Sequence, residues 1–181
     1  MNFTLAILTV IFSGVIAAII SHYLTSTKEA RDLVRLKSEN LLNSIKTFKT
    51  GFDIHTINAI PFIKGEISYN DYLELIKSMK NLGPGGDLNR VIAIIQLYFP
   101  ELQYCVENIL KVRTQFNDIL TKLSKNEITN AEAQKRYGIR VKEFDNAISE
   151  LEKQVILNAQ NKTDSFWKRR FEKPPPYIPL E

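Results

Sequence analysis

The sequence predicts an all-α chain: an N-terminal single transmembrane helix that continues into a cytoplasmic helical bundle with long antiparallel helices. Three observations carry this expectation. Residues 3–24, FTLAILTVIFSGVIAAIISHYL, contain no Asp, Glu, Lys or Arg. Two later stretches repeat apolar residues at alternating spacings of three and four, the mark of long amphipathic helices. Gly and Pro number only seven each in 181 residues, too few for a loop-rich or all-β chain.

The uncharged run is the first element. Its 22 residues span about 33 Å at the α-helical rise, against about 30 Å of hydrocarbon in a bilayer. Met1, Asn2 and Phe3 form no charged leader, and no small-x-small cleavage pattern follows. A retained span is therefore expected in place of a secretory signal. Lys28, Arg31, Arg35 and Lys37 follow the run, and no Lys or Arg precedes it. That bias predicts a single-pass protein of the inner (cell) membrane, N-terminus outside and C-terminal domain cytoplasmic. The single cysteine agrees with a reducing compartment. His22 and Tyr23 fall where the helix leaves the lipid and read as interfacial anchors. Thr9, Ser13, Ala17 and Ser21 recur every four residues, with Gly14 and Ala18 beside them. Small side chains on one face let a second backbone approach closely, so these six residues are the candidate self-association face.

No proline precedes Pro61, and no glycine lies between Gly14 and Gly51, so the helix is expected to run on to about residue 50. Val34, Leu41, Ile45, Phe48 and Phe52 form the stripe that packs this stalk on the bundle. Gly51 to Gly65 reads as a break, with Pro61 disfavouring helix at Ile60. Ser68 and Asp71 read as a helix start, followed by Tyr72, Leu73, Ile76 and Met79. The Gly/Pro cluster at 83–86 stops that helix. Asp87 then caps the next, whose Leu88, Val91, Ile92, Ile95 and Leu97 are expected to be mostly buried.

The longest stripe follows Phe99-Pro100: Leu102, Cys105, Ile109, Val112, Phe116, Ile119 and Leu123. Pro100 sits in its first turn, where the missing N–H costs nothing. A turn at 126–129 leads to a capping box, Thr129 with Glu132. The last stripe is Tyr137, Val141, Phe144, Ile148, Leu151 and Val155, with Gly138 as an expected kink or division. Heptad-like stripes of this kind predict coiled-coil-like packing at about 20°. The apolar runs 54–60 and 91–97 stay open between helix and strand.

The expected division is an anchor at 1–25, a stalk at 26–52, a bundle at 53–161 and a tail at 162–181. Residues 162–173, KTDSFWKRRFEK, carry +3 of the chain's formal net charge of +4. Phe166, Trp167 and Phe171 interleave there with Lys168, Arg169 and Arg170. This patch suits an anionic membrane surface or a protein partner. Nucleic acid is the less favoured ligand. The structural alternative has the rings packing on the bundle while the charges are solvated. Residues 174–181, PPPYIPLE, read as extended polyproline-like chain with a PPxY form.

No constellation for chemistry emerges. There is no GxSxG elbow, and Cys105 falls at a core position. The glycine cluster lacks the Lys-Ser/Thr of a phosphate loop. His22 and His55 are too few and too far apart for a metal cage. Asp71, Glu74, Asp118, Glu143 and Asp145 fall on polar helix faces. The mild net charge does not suggest a dedicated nucleic-acid binder. No catalytic, cofactor or metal residue and no small-molecule substrate is expected. The sequence points to a non-enzymatic, membrane-anchored interaction or regulatory module, with the lipid bilayer and a homo-oligomer or helical protein as partners. Two alternatives stand beside it. One is a membrane-perturbing effector of toxin or phage-defence type, oligomerising through the small-residue face. The other is a membrane-tethered nucleic-acid binder.

Overall fold

The computed structural model describes the backbone of residues 3–78 and 85–171, and the side chains of 16–78 and 88–163. Among the described residues five α-helices follow in order: α1 (Phe3–Lys64), α2 (Tyr69–Ser78), α3 (Gly85–Tyr98), α4 (Gln103–Ser124) and α5 (Asn130–Phe171). A 3-10 turn, Pro100–Leu102, leads into α4. Among the described residues there is no strand, and the runs at 54–60 and 91–97 are both helical. The chain divides into two compact units, residues 37–158 and residues 1–36 with 159–181.

The larger unit is a helical bundle built on α1, α4 and α5. Contacts far apart in sequence fix its register. Lys49 Nζ meets Asp145 at 2.6 Å, the Tyr137 hydroxyl donates to the Thr56 carbonyl at 3.2 Å, and Asn130 Nδ2 donates to the Ile63 carbonyl at 3.0 Å. As the α1 number rises the α5 number falls in step, so these two helices run antiparallel. A ring cluster fills the space between the three helices. Phe52 of α1 stacks on Phe144 of α5 with centroids 3.8 Å apart, and meets Phe116 of α4 edge-on at 5.0 Å. Phe116 in turn meets Tyr137 at 4.8 Å. The stripes of α4 and α5 supply the remaining core. Leu102, Cys105, Ile109, Val112, Phe116, Ile119 and Leu123 are all buried, as are Tyr137, Phe144, Ile148, Leu151 and Val155. The short α2 joins through Tyr72, which stacks on Phe62 at 5.6 Å. α3 joins through Leu88, Val91 and Ile95, and Lys37 lies over the Tyr98 ring.

Local chemistry closes the corners as the sequence leads one to expect. The Ser68 hydroxyl accepts from the Asp71 amide, and the Asp71 carboxylate accepts from the Ser68 amide, a reciprocal cap for α2. Thr129 accepts from the Glu132 amide at the start of α5. Helix ends show the complementary device. At α1, Gly65 with φ 77° returns its amide to Phe62, and Glu66 returns its own to Pro61. At α4, Asn126 with φ 58° does the same with Leu123, and Glu127 with Lys122. Left-handed residues of this kind satisfy the last carbonyls of a helix.

Several expectations need correction. The break at 51–65 is absent, because α1 runs to Lys64. Gly51 costs a helix about 1 kcal/mol. Phe48 and Phe52, buried on either side of it, each contribute about 1.5–3 kcal/mol. Pro61 falls in the final turn, so it removes one hydrogen bond shortly before the helix ends. Leu97 is not buried but 74% exposed, and Phe99 is the fully buried residue. Leu88, Val91 and Ile95 define the inward face of α3, and a residue two beyond Ile95 points about 200° away from it. Gly138 does not divide α5, which is one helix. α3 begins at Gly85, two residues before its expected cap Asp87, whose side chain lies outside the described residues together with Met79. α5 stays helical to Phe171, through the residues expected to open the tail, and 174–181 lie outside the described residues.

Candidate functional site

The described side chains of α1 from Ile16 to Ser26 form no part of the core. Every side chain from Ile16 to Ser26 is exposed. Ile16, Ile19, Ile20, Tyr23 and Leu24 expose between 45% and 63% of their surface, and their spacings of three and four place them on one face of the helix. Of the expected self-association face, Ala17, Ala18 and Ser21 are exposed, and Thr9, Ser13 and Gly14 have side chains outside the described residues. Among the described residues no helix is long and apolar enough to cross a membrane. Of the run 3–24, only residues 16–24 have described side chains. Large apolar side chains exposed along one helix face, with no core against them, mark a face suited to something other than water.

The second candidate patch, Phe166, Trp167, Lys168, Arg169, Arg170 and Phe171, occupies the last turns of α5. Its backbone is helical, and its side chains lie outside the described residues.

The polar side chains of the bundle were also candidates, and the structure gives them structural partners. Asp71 caps α2, and its hydrogen bonds from Ser68 hold the carboxyl below the usual carboxylate range. Glu74 pairs with Lys77, Asp118 with Lys122, and Glu143 with Arg140. Asp145 bridges α5 to Lys49 of α1, and this contact raises the ammonium pKa above its ordinary value. Cys105 is buried, and burial pushes its thiol up, away from nucleophilic use. Among the described residues no group of three or more His, Cys, Asp or Glu could hold a metal ion.

Two arrangements escaped the sequence reading. His55 Nε2 lies 3.1 Å from the Tyr72 hydroxyl, and its ring stacks near Phe52. Burial, with Arg113 nearby, depresses the imidazole pKa, and burial pushes the Tyr72 phenol up to about 12. A neutral imidazole and a neutral phenol therefore share one hydrogen bond that fastens α2 to α1. The other arrangement is a surface groove between α4 and α5, lined by Lys111, Gln115, Asp118, Arg136, Arg140 and Glu143. Its guanidinium groups are paired with Glu132 and Glu143. Such a groove offers a partner hydrogen bonds and no reactive group. No family model, curated protein or solved structure matches the chain.

Proposed function

We propose that this chain is a single-pass membrane protein whose helical bundle works in the cytoplasm as a non-enzymatic interaction or regulatory module, within an oligomer or larger complex. The observation that carries the proposal is the first half of α1. It combines an uncharged run at 3–24 with side chains that are all exposed from residue 16 to residue 26. In water, half-exposed Ile16, Ile19, Ile20 and Leu24 each forgo on the order of 1 kcal/mol of burial. In hydrocarbon that deficit disappears. Lys28, Arg31, Arg35 and Lys37 after the run orient the bundle inward. The row from Thr9 to Ser21 supplies the face for self-association. An interaction role is favoured because the carboxylates, the thiol and the imidazole singled out above are committed to caps, ion pairs and packing.

The test is membrane fractionation of cells producing the full chain, followed by protease treatment from outside. The chain should resist an alkaline wash, come out only with detergent, and keep its carboxyl end protected. Recovery in the aqueous fraction, or cleavage of that end from outside, refutes the proposal. Native mass spectrometry from mild detergent then reads stoichiometry and co-purifying partners. Strict monomers without partners would remove the oligomer part of the reading.

A further inference from the structure

We infer that the end of α5 and the residues just after the uncharged run of α1 form one cationic, aromatic collar that rests on an anionic membrane surface. The inference rests on the membrane-anchor reading above and adds a headgroup contact from the opposite end of the chain.

Residue placement supplies the juxtaposition. Residues 1–36 and 159–181 belong to one compact unit. Within it α1 and α5 are uninterrupted helices that leave at Leu36 and Ala159. Antiparallel α-helices rise equally per residue. Eight residues inward from Leu36 is Lys28, and eight inward from Ala159 is Trp167. Residues 166–171 therefore lie level with residues 29–24, where the uncharged run ends at Leu24.

Charge points to the same occupant. Residues 25–36 and 160–173 together hold the chain's whole formal excess of +4. Trp and Phe favour the headgroup layer, where one end of a ring is dry and the other wet, and Lys and Arg beside them reach lipid phosphates. A polynucleotide would satisfy the charge. It would not account for a basic-aromatic segment placed level with the end of an uncharged helix, where lipid phosphate is the nearest polyanion.

Trp167 is the single tryptophan, so its emission reports on the collar alone. The full chain is reconstituted into vesicles of phosphatidylcholine, with and without phosphatidylglycerol. Flotation reads the anchor, and Trp167 emission with quenching by shallow- and deep-labelled lipids reads the collar. The expected result is a blue shift with preferential shallow quenching that increases with phosphatidylglycerol. In K168Q/R169Q/R170Q the chain should still float, while the surface-bound population falls about fivefold per charge removed. Floating protein whose emission ignores phosphatidylglycerol, or a triple variant that behaves as the parent, overturns the collar and leaves the anchor standing. An emission shift induced by an oligonucleotide and not by anionic lipid overturns it in favour of nucleic acid. A chain that floats with neither vesicle overturns the anchor and the collar together.

Discussion

The Phe52–Phe144 stack decides whether the bundle is held where the structure says. Phe144 is 1% exposed and Phe52 is 5% exposed. Their centroids are 3.8 Å apart with planes 20° from parallel, the tightest ring contact among the described residues. Phe48 closes on Phe144 at 5.9 Å and Phe116 on Phe52 at 5.0 Å. Rigid rings on both flanks limit collapse into a vacated space. Phe144→Ala should therefore cost about 3–5 kcal/mol, a large part of the roughly 5–15 kcal/mol that holds a domain folded. Phe52→Ala should cost a comparable amount. The two rings share one contact, so the double variant should lose less than the sum of the singles, by about 0.5–1.5 kcal/mol. Phe144→Leu, which keeps most of the volume, should cost about 1.5 kcal/mol and supplies a milder cycle if the alanine variants do not fold. The assay is guanidinium unfolding of the detergent-solubilised full chain, followed by far-UV circular dichroism, with an unchanged slope confirming the same transition. Additivity within about 0.3 kcal/mol would mean that the rings do not touch, and the α1–α5 register would fall with them.

Two glycines should respond with opposite signs. Gly138 lies in mid-helix with nothing within 4 Å of an added Cβ, so Gly138→Ala should stabilise by about 0.8–1 kcal/mol. Gly65 has φ 77°, and an added Cβ would lie 2.8 Å from Asn130 Nδ2, so Gly65→Ala should destabilise by about 1–2 kcal/mol. Thermal melts read both, and a shared sign would contradict the helix boundaries. Tyr137→Phe removes the hydroxyl that donates to Thr56 and should cost about 0.5–1.5 kcal/mol in the same melts. His55 gives a pH dependence. Its folded pKa is depressed below 6.5, so the unfolded chain binds the proton more readily. Stability from this group is complete above 6.5 and declines as pH falls from there toward the depressed value. Unfolding at about pH 7 and about pH 5.5 should show a smaller loss for His55→Gln than for the parent. Equal losses would place the imidazole in water.

What the sequence revealed and what it hid follow from the range of the forces. The stripes of α4 and α5 are periodic, and the caps at Ser68 and Thr129 are local, so both were legible. The continuity of α1 was not. A propensity argument sees the local cost of Gly51 and Pro61. It does not see that Ala59, Phe62 and Ile63 are buried in the core. The same holds for Leu97 and Phe99, which differ by two residues and by which side of α3 meets the bundle. The His55–Tyr72 bond and the Lys49–Asp145 pair join residues 17 and 96 apart, so no spacing rule could announce them. The patch at 166–171 was visible as composition. That it continues α5 as helix to Phe171 became visible only in the structure.

The core itself tells what the uncharged run is not for. Among the described residues no side chain before Ser38 is buried, and the buried apolar set begins at Leu41. Removing residues 1–25 therefore deletes no described part of that core. The truncated chain should keep its helical bundle and unfold within about 4 °C of the parent, the shift expected from at most about 1 kcal/mol. It should also leave the membrane fraction. These two readouts separate folding from placement. If the truncated bundle melts far lower, the apolar residues serve the fold, and their exposure marks a missing protein partner and not lipid. If it melts unchanged and turns soluble, the bundle has no use for 22 residues without a charge, and the only solvent that rewards them is hydrocarbon.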